Sequence, residues 1–156
     1  MQTFIPEIVY ADCAAVLDRQ RLGKQRVECL QIMNILCGVQ PAHRKGWRNH
    51  PAVVMWQGWE YALLHYTEAI CDEWTDRGYI DNCMERVRSA FYHKHCREPF
   101  VIAGYPGWWD DMEIHVSHQS NLMRKNPDHY SPFYGHVPDD LPYVWGYPRK
   151  LQGQGV

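Results

Sequence analysis

A helical repeat of apolar residues near the start of the chain constrains its fold more than any other feature. Apolar side chains recur at intervals of seven, with one further member of the same stripe: Ala15, Leu22, Cys29, Leu36 and Met33. This spacing predicts an amphipathic helix with one buried face. Asp12 is a candidate N-cap and Gly38 a stop signal, so the predicted helix runs from residue 12 to about residue 37.

The rest of the chain continues the helical pattern. A second helix is predicted over residues 51–78, with buried positions at Trp56, Trp59, Leu63, Tyr66, Ile70 and Trp74. A shorter helix is predicted over 81–92 and another over 110–125, the latter with buried positions at Met112, Val116, Leu122 and Met123. From residue 126 the Pro- and aromatic-rich tail is predicted to be ordered but irregular. No segment alternates like a strand, so we expect a mainly α fold: one compact domain over residues 1–156, with long ordered loops.

The composition is that of a globular protein rather than a disordered one. The chain has 156 residues, 46% of them apolar, and a domain of this length buries about two-thirds of its unfolded surface. Six cysteines show no CxxC spacing, which favours reduced thiols. No apolar run reaches membrane-spanning length, and the first residues lack a basic region followed by an apolar core. We expect a cytoplasmic protein with no membrane partner, and a monomer.

The distribution of charge says more about partners than the net charge of −2 does. A strongly basic net charge is typical of nucleic-acid-binding domains, and the net charge of this chain is not basic. Basic residues nevertheless cluster in segments 19–26, 43–50 and 86–97, whereas acidic residues collect elsewhere. A sided surface of this kind can bind a polyanion despite the balanced total.

Glu28 lies on the predicted helix face opposite the apolar stripe. It is in line with three polar residues at helical spacing: Arg21, Lys24 and Gln31. The simplest interpretation is a solvated face, on which a Lys24–Glu28 pair contributes roughly 0.2–0.5 kcal/mol. The alternative is a carboxylate held among cations for chemistry, and the pattern alone favours the first interpretation. Arg19 and Arg26 flank the stripe, where they can reach phosphates or pair internally.

The loop before residue 51 combines basic and aromatic residues: Lys45, Trp47, Arg48, Asn49 and His50. Backbone N–H groups at the start of the following helix favour an anion such as phosphate. Helix capping together with packing of Trp47 explains the same residues equally well.

Histidines and a cysteine further along the chain suggest a metal site: His93, His95, Cys96, His115 and His118. Zinc sites need three or four ligands with supporting partners, and no recognised spacing joins these groups. We therefore expect no metal and no organic cofactor. A metal nuclease built on these histidines is the alternative, which activity in excess EDTA would exclude.

Several segments, taken in order, resemble one enzyme family. They are "LDRQRL" at 17–22, the glutamate six residues after Leu22, the "GWRNHPA" loop at 46–52 that opens a helix ending in "RGY", and "SHQSNLMRKNPDHYSPFYG" at 117–135. This order resembles the pyrimidine-dimer DNA glycosylase (endonuclease V) family, and most closely a bacterial branch that begins "MQTF". Each motif is moderately specific, and together they span most of the chain.

The resemblance implies a compact helical DNA-repair glycosylase with an AP lyase step, acting on damaged or modified bases in duplex DNA. In that family the N-terminal α-amine attacks the anomeric carbon, releases the base and forms an imine, and β-elimination nicks the strand. A glutamate on the first helix assists, and basic residues hold the kinked duplex while a base opposite the lesion is flipped out. An α-amine suits this role because its reference pKa of about 7.7–8.0 leaves a neutral fraction at physiological pH.

Carried over by position, the resemblance implies that Glu28 is the catalytic glutamate and Arg21 a DNA contact. Arg26 matches the arginine beside the glutamate with a shift of one, and Arg124 or Lys125 matches a basic residue on the late helix. The loop residues Lys45, Arg48 and His50 are predicted DNA contacts as well.

The start of the chain departs from the phage enzyme, which exposes a threonine amine after its methionine is removed. Residue 2 here is glutamine, and a bulky residue there normally prevents that removal. We therefore expect the nucleophilic amine to belong to Met1, or to Gln2 after processing. A non-catalytic nucleic-acid-binding protein that keeps the fold is the alternative function.

Overall fold

Helices account for all the regular secondary structure in the part of the chain that the structure describes. The computed structural model describes residues 1–39, 42–95 and 104–146, without the side chains of 42–45. A 3-10 helix covers Ala42–Asn49, and seven α-helices lie at α1 Tyr10–Val16, α2 Arg19–Leu36, α3 Pro51–Val54, α4 Glu60–Asp76, α5 Met84–His95, α6 Met112–Lys125 and α7 Pro127–Tyr134. The predicted mainly α fold is confirmed.

The first predicted helix is wrong in one respect, because it is two helices. The chain is extended at Leu17 and Asp18, and the Asp18 carboxylate caps α2 by accepting the N–H of Arg21 at 2.8 Å. This break resets the helical phase. Leu22 and Cys29 on α2 are buried as predicted. Ala15 lies before the break and is exposed, because the break takes it off the buried stripe.

The second predicted helix is also interrupted. His50 caps the short α3, and α4 begins only at Glu60, after a turn in which Gly58 has φ +79°. The predicted end is confirmed, because Gly78 has φ +93° directly after the C-cap of α4. Trp59 lies in the interruption and is 39% exposed, contrary to its predicted burial.

The later helices shift the predicted bounds. The Asp81 carboxylate accepts the N–H of Cys83 and of Met84, so α5 begins three residues later than expected. The predicted α6 is confirmed, although Met112 at its first position is 54% exposed. The tail is not wholly irregular, because α7 begins at a proline behind its Asn126 cap.

The helices α1, α2, α4 and α5 pack around a shared core, which also takes in the extended start of the chain through Phe4 and Ile5. The five cysteines with described positions are buried free thiols, as predicted: Cys13, Cys29, Cys37, Cys71 and Cys83. Cys96 lies outside the described residues. Within 1–39, 42–95 and 104–146, no helix combines the length and apolar character needed to cross a bilayer.

Candidate active site

The extended N-terminal segment is fixed by side chains of the surrounding helices. Gln25 on α2 is 1% exposed and makes two hydrogen bonds to it: its Nε2 donates to the carbonyl of Gln2 at 2.7 Å, and its Oε1 accepts the N–H of Phe4 at 2.9 Å. The hydroxyl of Tyr66 on α4 donates to the carbonyl of Phe4 at 2.6 Å. These contacts satisfy buried backbone groups and hold the segment in one position.

Two buried histidines of α6 hold the next residue. The N–H of Ile5 donates to Nδ1 of His118 at 3.0 Å, and the carbonyl of Ile5 lies 2.7 Å from Nδ1 of His115. Burial and then the neighbouring His115 lower the pKa of His118 to about 3, so His118 is a neutral acceptor. In the part of the chain that the structure describes, no three metal-ligating side chains form a cluster.

Glu28 lies beneath this segment and is 7% exposed. The N–H of Gln2 donates to Glu28 Oε2 at 3.2 Å, and Nζ of Lys24 lies 3.7 Å from Oε1. Burial raises the pKa of Glu28, and it outweighs the opposing effects of the N-terminal amine, Lys24 and the Gln2 N–H. The solvated-face interpretation is therefore wrong for Glu28, because the N-terminal segment covers it.

The charge of the Met1 α-amine acts on two ionisable side chains, one on α2 and one at the start of α3. Its positive charge lowers the pKa of Glu28 on α2 and that of His50, although burial is the larger effect at each. His50 caps α3 through Nδ1, which accepts the N–H of Ala52 at 3.1 Å. The amine therefore acts electrostatically on a buried carboxylate and on an imidazole, and the neighbouring Gln2 N–H donates to that carboxylate.

Gln2 contributes a further unusual feature. Its side-chain Oε1 and Nε2 atoms are both buried without a hydrogen-bond partner. Buried amide groups are normally paired, and an unpaired one costs about 1–3 kcal/mol.

The predicted DNA-contacting residues occupy different environments. Arg21 forms a 2.6 Å ion pair with Asp18, and its Nη2 lies 3.5 Å from the carbonyl of Lys125. The side chains of Lys125 and Arg48 are exposed. The side chain of Lys45 lies outside the described residues.

Two of these arginines are engaged internally. Arg26 is 7% exposed, its Nε lies 2.8 Å from an Asp81 carboxylate oxygen, and its guanidinium lies over the ring of Trp74. Arg124 donates to the carbonyls of Asp139 at 2.6 Å and Leu141 at 2.9 Å, and so ties the tail to α6.

The resemblance to the family brought Glu28 and the amine together, and reasoning from the sequence missed the residues that hold the N-terminal segment. Gln25, Tyr66 and His118 hydrogen-bond the backbone of the N-terminal segment, and of the three only Gln25 had a sequence signal for such a role. The buried face of α2 contains Gln25, and a polar residue at a core position was the available hint.

The described residues form a helical domain in which the N-terminal segment covers a buried carboxylate, Glu28. The family model for pyrimidine dimer DNA glycosylase matches residues 1–86, which is more than half of the chain. The chain therefore belongs to the pyrimidine dimer DNA glycosylase family, which implies enzyme activity on DNA. Comparison with curated proteins and with solved structures gave no match.

Proposed function

We propose that the protein is a DNA repair glycosylase with an AP lyase step, in which the N-terminal amine and Glu28 act on one damaged nucleotide of duplex DNA. One observation carries the proposal. The first backbone N–H of the chain donates to a buried carboxylate, so amine and carboxylate are neighbours in a chain of this family.

The chemistry requires a neutral amine and a nearby base. The amine forms a bond to C1′ of the sugar as the bond from C1′ to the base breaks and the base leaves. Opening of the sugar ring gives an imine, and loss of a C2′ proton expels the 3′ phosphate. Glu28 stabilises the positive charge on the sugar and accepts protons. Its raised pKa makes it a stronger proton acceptor than an ordinary carboxylate.

Three exposed cations are the proposed phosphate contacts: Lys24, Arg48 and Lys125. Lys24 is adjacent to Glu28, Arg48 precedes His50 by two residues, and the carbonyl of Lys125 accepts from Arg21. Binding through such cations weakens as salt rises, because counterions compete for the phosphates. Arg26 and Arg124 serve packing in this proposal. Lys45 stays a prediction from the sequence.

Glu28→Gln tests the catalytic assignment. The amide keeps an acceptor for the Gln2 N–H but loses the charge and the base, so base release from ultraviolet-irradiated duplex should fall by roughly 10²–10⁴-fold. Affinity for the duplex should change little. Glu60→Gln is the matched control. Glu60 is also buried, but it lies on α4 and its carboxylate pairs with Lys94 of α5 at 2.7 Å.

Borohydride identifies the nucleophile by reducing an imine to a stable adduct. Wild-type protein incubated with an abasic duplex and borohydride should give a covalent product that mass spectrometry maps to the first residue, also in excess EDTA. A protein that binds duplex DNA but neither releases a base nor forms the adduct would be a non-catalytic binding protein instead.

A further inference from the structure

Gln2 combines a fixed backbone with an unused side-chain amide. Its N–H donates to Glu28 Oε2 at 3.2 Å and its carbonyl accepts from Gln25 Nε2 at 2.7 Å, so two residues of α2 fix its position. The side-chain atoms Oε1 and Nε2 are buried, and neither has a hydrogen-bond partner among the described residues. One acceptor and one donor therefore remain available to a ligand.

The burial of this amide is unusual because water reaches other atoms of the same residue. Gln2 as a whole is partly exposed, yet its two polar side-chain atoms are buried. Long polar side chains normally keep their polar ends in water, and an unpaired buried amide lowers stability. Such an arrangement is expected at a functional site, where a ligand supplies the missing partners.

The amide belongs to the residue next to the proposed nucleophile, the amine of Met1. In the substrate, C1′ of the sugar is bonded to the ring oxygen and to N1 of the base. The ring oxygen needs a proton when the ring opens, and Glu28 can supply one whereas an amide cannot. The base leaves with an electron pair that N1 shares with the carbonyl oxygen O2. A hydrogen-bond donor that keeps its proton suits this charge, so the amide matches the base rather than the ring oxygen.

We infer that the side-chain amide of Gln2 binds the leaving pyrimidine, with Nε2 donating to O2 and Oε1 accepting from N3–H. These two groups are adjacent on a thymine or uracil ring, so one amide pairs with both and its two unpaired atoms are satisfied together. In a duplex N3–H is bonded to the opposite base, and the flipping of that base, which the family resemblance implies, frees it. Neutral cytosine has no proton on N3, so the pair favours thymine as the leaving base. The inference rests on the proposed function and adds Gln2 to the residues that contact the substrate.

The three groups then act on different parts of one step. The amine bonds to C1′ as the bond from C1′ to N1 breaks, and the electron pair of that bond leaves on N1 and O2. Gln2 donates to O2 as this charge develops. The proton lost by the amine passes to Glu28 and on to the departing base. An abasic site has no base, so the amide has no role in forming the imine there.

Base release from a thymine-dimer duplex and borohydride trapping on an abasic duplex separate these contributions. Gln2→Met keeps the length of the side chain but removes donor and acceptor, and Gln2→Glu keeps the acceptor without the donor. In both variants the ratio of the dimer rate to the abasic rate should fall roughly 10- to 1000-fold. Gln57→Met is the matched control, because Gln57 is exposed between α3 and α4, and its ratio should equal that of wild type.

Thermal unfolding distinguishes an amide that binds substrate from one that supports the fold. Gln2→Met removes an unpaired buried group, so its melting temperature should rise by roughly 2–12 °C while its base release falls. A lower melting temperature with equal losses on both duplexes would show a role in the fold and overturn the inference. An unchanged rate ratio in folded Gln2→Met would overturn it as well.

Binding separates this inference from the proposed catalysis. If wild type neither releases a base nor forms the adduct, the proposed catalysis fails, and fluorescence anisotropy of labelled duplexes still measures the contact with the base. Gln2→Met should then bind the dimer duplex roughly 2- to 12-fold more weakly than wild type, relative to the abasic duplex. Equal relative affinities of the two proteins would overturn the inference.

Discussion

Replacement of Gln25 by alanine tests how the amine is held against Glu28. The change removes the acceptor of the Phe4 N–H and the donor to the Gln2 carbonyl. Both backbone groups then lose their hydrogen-bond partner in the folded protein. A buried polar group that loses its partner costs about 1–3 kcal/mol, and the Gln2 carbonyl is at the lower end because Gln2 is only partly buried. The free energy of unfolding should therefore fall by about 2–4 kcal/mol. For a chain of this size the melting temperature then falls by roughly 4–16 °C.

The same change should reduce chemistry beyond its effect on stability. A shift of about 1 Å in a reacting group costs on the order of 10²-fold in rate. Borohydride trapping on an abasic duplex, measured well below the melting temperature of Gln25→Ala, should therefore fall at least about tenfold. Gln25→Glu keeps an acceptor for Phe4 but places a second carboxylate beside Glu28, and it should trap poorly as well.

Gln31→Ala is the matched control, because Gln31 lies on the same helix and is exposed. It should change the free energy of unfolding by less than about 0.5 kcal/mol. If the two alanine variants have equal melting temperatures and equal trapping yields, Gln25 does not hold the amine and the reasoning fails.

Three further changes have expected outcomes. Burial raises the pKa of Glu28 above the ordinary 4.5, so its ionised form destabilises the fold. Glu28→Gln should therefore have a higher melting temperature than wild type at pH 7. The difference between the two melting temperatures should close as the pH falls to 4.5. Gly146→Ala should cost about 1–3 kcal/mol in chemical denaturation, because its Cβ meets Trp108. Burial alone would raise the pKa of Asp81, but two backbone N–H groups and Arg26 hold it below 3.8. Asp81→Asn should therefore lower the free energy of unfolding by about 2 kcal/mol at pH 7. The loss should become smaller as the pH falls below 3.8.

Each of these changes has a control of the same residue type. Glu60→Gln removes a charge paired with Lys94 and should not raise the melting temperature. Gly107→Ala places a Cβ at an ordinary 3.5 Å from Trp59 and should be nearly neutral. Asp76→Asn changes an exposed residue. The argument for Glu28 is contradicted if Glu28→Gln melts below wild type at every pH. The arguments for Gly146 and Asp81 are contradicted if the variant and its control have equal stability.

Periodicity predicted the helical class but not the interruptions. The break at Asp18 depends on its carboxylate, which accepts the N–H of Arg21 and caps α2, so that Asp18 does not continue a longer helix. Asp12 has the same chemistry six residues earlier and lies inside α1. Propensity cannot distinguish the two aspartates, because tertiary contacts decide which one ends a helix. One such contact is Tyr130 Oη accepting the N–H of Asp18.

The candidate site shows the same limit. Helical spacing placed Glu28 in line with Lys24, and this pair is present, but spacing could not show that residues 1–5 would cover the carboxylate. Only the ordered resemblance to the family singled out Glu28. His115 and His118 looked like metal ligands by residue type, whereas in the fold they bond the backbone of residue 5. That function depends on contacts more than a hundred residues apart in sequence.

The long-range bond from Ile5 to His118 has a consequence for synthesis of the protein on the ribosome. The first five residues leave the exit tunnel early, yet the acceptor for the Ile5 N–H is made 113 positions later. Contacts of such separation form late in folding, after the local helices. A nascent chain that ends before α6 therefore carries Glu28 and the amine without the His118 contact to Ile5, and the complete arrangement forms only after α6 has been translated.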